Sequence, residues 1–193
     1  MSIEGGAFPG AGGAALSATA GWTRIAALPG EDSAHVQALM LAFAEELRAQ
    51  GLRVAGVTQT RGVDASGARS GIMLREVASG ALYAISQDLG PGSVACNLDT
   101  SELAMACAAI ERAARAGADL IVISKFSKQE AARGGLCDAF RAAMTARVPV
   151  IAAVSPHFRE EWRAFAGPLA EDVAPEREAL AQWWAKTRGE API

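Results

Sequence analysis

The chain has 193 residues, a formal charge of −3, and 51% apolar against 20% charged residues. That size suits one domain of roughly 150 to 170 residues with a tail, enough to bury a core. The mildly acidic balance offers no field for nucleic acid, and the apolar runs fall far short of the roughly 18 residues that span a bilayer, so neither nucleic acid nor membrane is expected as a partner.

Residues 1–20 are rich in Gly and Ala and contain an A-x-A pattern, but they carry Glu4 and lack a basic start and an unbroken apolar core. They read as a flexible extension, not a signal peptide. Trp22 to Leu28 predicts the first strand, and Pro29-Gly30-Glu31-Asp32-Ser33 a turn into a helix capped by Asp32 or Ser33. Val36, Leu39, Met40, Phe43 and Leu47 recur at helical spacing between Ala34 and Gln50, and Gly51 closes that helix. Leu52 to Thr58 predicts a second strand, while Gln59 to Gly71 is polar and reads as a loop. Ile72 to Val77 and Ala81 to Ser86 alternate around Ala78-Ser79-Gly80, a hairpin pattern, and Gln87 to Asn97 is a Gly/Pro loop.

Asp99-Thr100-Ser101-Glu102 resembles a capping box, with Asp99 as cap and Glu102 reaching back. The sharper alternative for Asp99 is an active-site loop carboxylate. Leu103, Cys107, Ile110 and Ala114 line one face of the following helix, which ends at Gly117. Leu136 to Arg147 predicts another helix, Val148 to Val154 a buried strand, Ser155-Pro156-His157 the start of a short helix with Trp162 and Phe165, and Pro175 to Arg188 a terminal helix packed through Leu180, Trp183 and Trp184. The three cysteines, Cys96, Cys107 and Cys137, are odd in number and widely spaced, which argues for a reducing cytosol and against a disulfide framework. Neither they nor His35 and His157 show metal-ligand spacing, so no metal is expected.

The stretch that organises the chain is Asp119 to Gly135. Leu120, Ile121, Val122 and Ile123 form a continuous apolar run suited to a strand covered on both faces. At Ser124 the composition turns polar, with Lys125, Lys128, Gln129, Glu130 and Arg133 before Gly134-Gly135. Strands alternating with helices imply a mainly parallel sheet with helices on both faces and the hairpin as an antiparallel insertion. Open α/β sheets bind ligands beyond the carboxyl ends of their strands. The expected site therefore gathers Gly30 and Ser33 of the first turn, Gln59 after the second strand, and Lys125, Lys128, Glu130 and Arg133, with Asp99 at its margin. The Pro29–Ser33 turn has the position of a phosphate-binding loop but one glycine, no lysine and two carboxylates. Helix N-terminal amides still favour an anion there.

The segments PGEDSAHVQAL, LRVAGVTQ, ISQDLGPGSVACNLD, GADLIVISKFSKQE and VPVIAAV resemble the bacterial domain-of-unknown-function family 2478 over roughly residues 23 to 170. That family is similar to the thermophile-type nucleoside triphosphatases of the P-loop superfamily. The resemblance implies a three-layer α/β fold, P-loop-NTPase-like; the order of the elements puts the domain at residues 21–170 and a helix packed on it at 171–193. Where the nucleoside triphosphatases carry the second glycine and the lysine of PG-x-GK-T-T, this chain has Asp32 and Ser33. Where they read IDEIGKME, it reads Ile123-Ser124-Lys125-Phe126-Ser127-Lys128-Gln129-Glu130, so the acidic pair becomes Ser124 and Lys125.

Phosphoryl transfer needs a metal, phosphate-cradling cations and a positioned water. With the loop lysine and the metal-organising acid replaced, the first expectation is a non-catalytic protein binding a small anionic ligand, with Glu130 orienting a lysine. The family's association with molybdate uptake implies molybdate or another oxyanion as ligand ahead of a nucleotide. Two alternatives stand beside it. One is a divergent nucleoside triphosphatase in which Glu130 activates water. The other is an assembly subunit, a homo-oligomer through Ala-rich helices or the Trp183-Trp184 pair. The expected location is cytoplasmic.

Overall fold

The computed structural model describes residues 24–30, 33–63, 69–86 and 99–189. The expected extension at 1–20, the cap Asp32, and the loop 87–97 with Cys96 lie outside the described residues. The elements run β1 (Ile25–Pro29), α1 (Ser33–Ala49), β2 (Val54–Val63), β3 (Arg69–Glu76), β4 (Leu82–Ala84), α2 (Thr100–Arg115), β5 (Leu120–Phe126), α3 (Lys128–Ala131), α4 (Cys137–Thr145), β6 (Val150–Val154), α5 (Arg159–Ala166), β7 (Ala170–Asp172) and α6 (Arg177–Arg188). Among the described residues they build one sheet in the order β4-β3-β2-β5-β6-β1-β7. β2, β5, β6, β1 and β7 are parallel, and β3 and β4 extend the sheet antiparallel beyond β2. This is the expected three-layer α/β fold, mainly parallel, with an antiparallel insertion.

The continuous apolar runs follow from burial on both faces. Ile25, Ala27, Ile121, Ile123, Val150 and Ala152 meet Leu103, Ile110, Phe140 and Trp162 of α2, α4 and α5. Their alternates Ala26, Leu28, Leu120, Val122, Ile151 and Ala153 meet Met40, Phe43, Leu180 and Trp183 of α1 and α6. Each fully buried Ile or Leu contributes about 1.5–3 kcal/mol, so the three central strands carry the core. Trp183 and Trp184 belong to that core, 3% and 8% exposed. They dock the terminal helix on its own domain.

The structure corrects three local expectations. First, Gln59 to Gly71 is not all loop. β2 continues to Val63 and β3 begins at Arg69, with pairing from Val57↔Glu76 to Val63↔Arg69. β2 leaves β5 after Gly56↔Val122, and its backbone groups then need new partners, which β3 supplies whatever the side chains are. Second, β7 spans the boundary drawn at residue 170. It is a three-residue strand from a charged sequence, and its charges guard a sheet edge, Glu171 paired with Lys186 at 2.9 Å and Asp172 with Arg159 at 2.7 Å. Third, the capping box on α2 is half made. The Asp99 carboxylate accepts from the N–H groups of Ser101 and Glu102 at 3.0 and 3.1 Å, but its own N–H donates to Ile85 O at 3.0 Å, not to Glu102.

β5 carries a bulge. Ile123 pairs with Ala152 and Phe126 with Val154, so β5 has one residue more than β6 between these points. The extra residue inverts the alternation and sends Ile123 and Phe126 into the same core. Phe126 packs there on Trp162 and Phe165, ring centroids 5.0 and 5.2 Å away.

Candidate functional site

Where β2 parts from β5 the sheet opens, and α1 fills the opening with Gln37. This glutamine is 6% exposed and sits on the buried arc of α1 with Met40, Phe43 and Ala44. Its Nε2 donates to Ser124 O at 2.5 Å and its Oε1 accepts from the Gln59 N–H at 2.6 Å. The carboxamide thus replaces the backbone bonds that β2 and β5 stop making.

Above it lies a groove of about 520 Å³, lined on the α1 side by Ser33, Ala34, Gln37, Ala38 and Leu41, and on the sheet side by Thr58, Gln59, Thr60, Arg61 and Arg75. Thr58 is buried and pairs across the strands with Arg75. Among the described residues no carboxylate lines it, and neither Arg61 nor Arg75 makes an ion pair with another described residue. Hydroxyls, amides and two guanidiniums beside the first turn of α1 form a donor-rich set, suited to an anion.

The structure divides the expected site residues. Ser33 and Gln59 meet in the groove. Ser33 is the first helical residue of α1 rather than a cap before it. Gly30 follows β1 so closely under α1 that an added Cβ would lie 2.9 Å from Val36 Cγ2, but it does not line the groove. Lys125 sits half-buried in the β5 bulge and Lys128 is exposed on α3. Neither lines the groove or pairs with an acid among the described residues. Arg133 stands elsewhere, its guanidinium 5.6 Å from the Phe165 ring centroid, at a separate cavity of about 210 Å³ beside α4 and α5. Asp99 caps α2, and the Ser101 hydroxyl, followed by the Glu102 N–H, holds its carboxyl below the usual carboxylate range.

Glu130 is 5% exposed and is neither paired with a lysine nor open to a water. Its Oε2 accepts from the Ser127 N–H at 3.0 Å and the Ser127 hydroxyl at 3.2 Å, and its Oε1 from the Leu136 N–H at 3.0 Å. It shapes the loop between β5 and α4. Three loop donors take three of its roughly four acceptor positions and burial encloses the group, so the role its contacts show is to hold the loop, beside the ligand-facing roles expected for it.

Sequence reasoning missed Gln37, Thr58, Thr60, Arg61 and Arg75. A signal existed for one of them: Gln37 stands three residues before Met40 and seven before Ala44, a polar residue inside the apolar arc of α1. The two arginines had none, since one fell in an expected loop and the other on the outer face of an expected hairpin.

The two described thiols are structural. Cys107 and Cys137 are buried and unpaired. Burial, with Glu111 adding to it, pushes the Cys107 thiol up to about 11, and burial raises Cys137 as well. In native protein at pH 8, a thiol reagent is expected to modify neither at an appreciable rate, and to reach both once the chain is unfolded in guanidinium. Mass spectrometry of the labelled peptides checks this, and rapid native labelling of Cys107 would contradict the packing of α2 on α4.

Among the described residues no helix is long and apolar enough to cross a membrane, and no group of three His, Cys, Asp or Glu side chains could hold a metal. Residues 25–183 match the family described as "Protein of unknown function (DUF2478)". The chain belongs to the DUF2478 family. A curated relative of this DUF2478 protein is the molybdenum import ATP-binding protein ModC 2 of Bradyrhizobium diazoefficiens, 37% identical over 164 residues. The match covers 85% of this chain but 18% of the relative, so the DUF2478 chain spans less than a fifth of that protein's length. Among solved structures, that of a human cancer-related nucleoside triphosphatase aligns with a TM-score of 0.58 at 18% identity, covering 81% of this chain and 92% of that one. At that identity the likeness shows the fold, which is P-loop-NTPase-like.

Proposed function

We propose that this DUF2478 chain is a non-catalytic anion-binding domain of P-loop descent that takes a small oxyanion. The observation that carries this reading is the groove at the start of α1, with Arg61 and Arg75 over a floor of hydroxyls and amides. The sequence positions that serve metal-dependent phosphoryl transfer point the same way. Ser33 and Ala34 stand where a P-loop has its lysine and metal-ligating hydroxyl, and Ser124 stands for the acid. Molybdate is the first anion to try, because the relative that contains a similar segment is named for molybdenum import.

Isothermal titration with sodium molybdate, sodium sulfate and magnesium-ATP tests the proposal. Arg75→Ala is expected to weaken oxyanion binding about tenfold, the size of one lost charge-assisted hydrogen bond. Arg177→Ala, on α6 and paired with Glu46 at 2.9 Å, should leave binding unchanged. Equal affinities in the two variants would overturn the site. Saturable binding of magnesium-ATP alone would replace this reading with the divergent nucleoside triphosphatase, and magnesium-dependent phosphate release would then be the next assay.

A further inference from the structure

A buried carboxamide brings two N–H donors and an acceptor oxygen, and each needs a partner. For Gln37 the neighbours dictate which end faces where. The Gln59 N–H can only donate, so Oε1 must face it, and the Ser124 carbonyl can only accept, so Nε2 must face that. The orientation therefore rests on donor and acceptor identity and leaves no choice of flip. Ser124 uses one N–H of the pair. The second belongs to a side chain that is 94% enclosed yet forms part of the groove wall beside Ser33 and Thr58. Gln37 thus stands in the groove wall with both ends of its carboxamide anchored and one N–H beyond the Ser124 bond.

We propose that this second N–H is a ligand of the anion, making Gln37 a specificity-determining residue for a bare tetrahedral oxyanion. The inference rests on the anion-binding reading above and adds the residue that sets its selectivity. A lysine at this depth would be a point charge indifferent to geometry, and would help neutralise a metal-bridged polyphosphate. A carboxylate would repel any anion and would also face the Ser124 carbonyl oxygen. A clamped neutral amide does neither. It offers one directed hydrogen bond at a fixed place, at low ordering cost because both its flanking bonds are already made.

The experiment titrates the full chain with sodium molybdate and with sodium sulfate, using wild type, Gln37→Met and Arg75→Ala, each checked for a cooperative melt. The Gln37 side-chain amide pair is followed in nitrogen-15-labelled wild type and assigned through its proximity to the Gln59 amide proton. Gln37→Met is expected to bind the oxyanion about tenfold more weakly, and the wild-type Gln37 pair to shift along the same isotherm as the calorimetric signal. The spectroscopic arm stands even where Gln37→Met does not fold. Unchanged affinity in Gln37→Met, or a stationary side-chain pair while the anion binds, overturns the proposal. If wild type binds and Arg75→Ala weakens binding while Gln37 is indifferent, this inference alone falls. If wild type binds neither anion, the anion-binding reading falls and takes this one with it.

Discussion

Gly56→Ala is expected to destabilise the protein by about 4 kcal/mol or more, or to prevent folding. Gly56 has φ +122°, outside the range that side chains adopt readily, and a Cβ there would lie 1.9 Å from Val122 O and 2.5 Å from Val122 N. Those are backbone atoms of β5, which β6 holds from the other side through Val122↔Ile151, so the strand cannot step away. Gly56 is also the last β2 residue paired with β5, and its carbonyl accepts the Val77 N–H at 2.9 Å. It is the point at which one strand passes from the parallel sheet into the antiparallel extension. Gly80→Ala is the control: φ is +77° but nothing lies within 4 Å of an added Cβ, so only the backbone penalty of about 1–2 kcal/mol applies. Urea unfolding of both variants separates the close approach from the dihedral. Gly56→Ala should also melt at least about 10 °C lower than wild type. A loss no larger than that of Gly80→Ala would mean that β2 and β5 do not approach as described.

Glu130→Ala is expected to cost about 3 kcal/mol, with the loss concentrated in the β5–α4 loop. The substitution leaves the buried Leu136 N–H and the Ser127 N–H without their carboxylate acceptor. Glu130→Gln should rescue little. The three donors approach both oxygens, and an amide can turn its oxygen to only one side, leaving its NH₂ against an N–H on the other. Gly135 makes the loop less forgiving still, because φ is +59° and any Cβ would fall 2.0 Å from Glu130 Oε1. Hydrogen exchange at Ser127, Leu136 and Cys137 is the readout, with faster exchange there than in β6 expected for both variants. Retained protection would show that the carboxylate is dispensable. One consequence concerns assays of hydrolysis: loss of phosphate release in Glu130→Gln would report loop damage, so it cannot by itself identify a catalytic base.

Much of the architecture was legible because burial leaves periodic traces. Leu103, Cys107, Ile110 and Ala114 recur at helical spacing and face the sheet as α2. Val150 to Val154 and Leu120 to Ile123 are unbroken apolar runs because both their faces are covered. Where an element has no buried stripe the trace disappears. Gln59 to Val63 is polar and still strand, since its ladder with β3 is made by the backbone, and Ala170 to Asp172 is too short and too charged to announce β7.

The candidate site followed the same division. Ser33 and Gln59 could be placed at strand ends by counting elements, and they do meet. Lys125, Lys128, Glu130 and Arg133 share one segment of chain, but the β5 bulge, the Glu130 clamp and the Arg133–Phe165 contact send them to different places. Arg61 and Arg75 lie far from Ser33 in sequence, and only the antiparallel turn of β2 onto β3 brings them over α1. The sequence by itself determined the three-layer fold, the replacement of the loop lysine and the metal-organising acid, and the absence of a strongly basic field. The tertiary structure decided which donors converge. Convergence depends on where β2 leaves β5 and on a buried amide that bridges the opening, and neither has a local pattern that can be read along the chain.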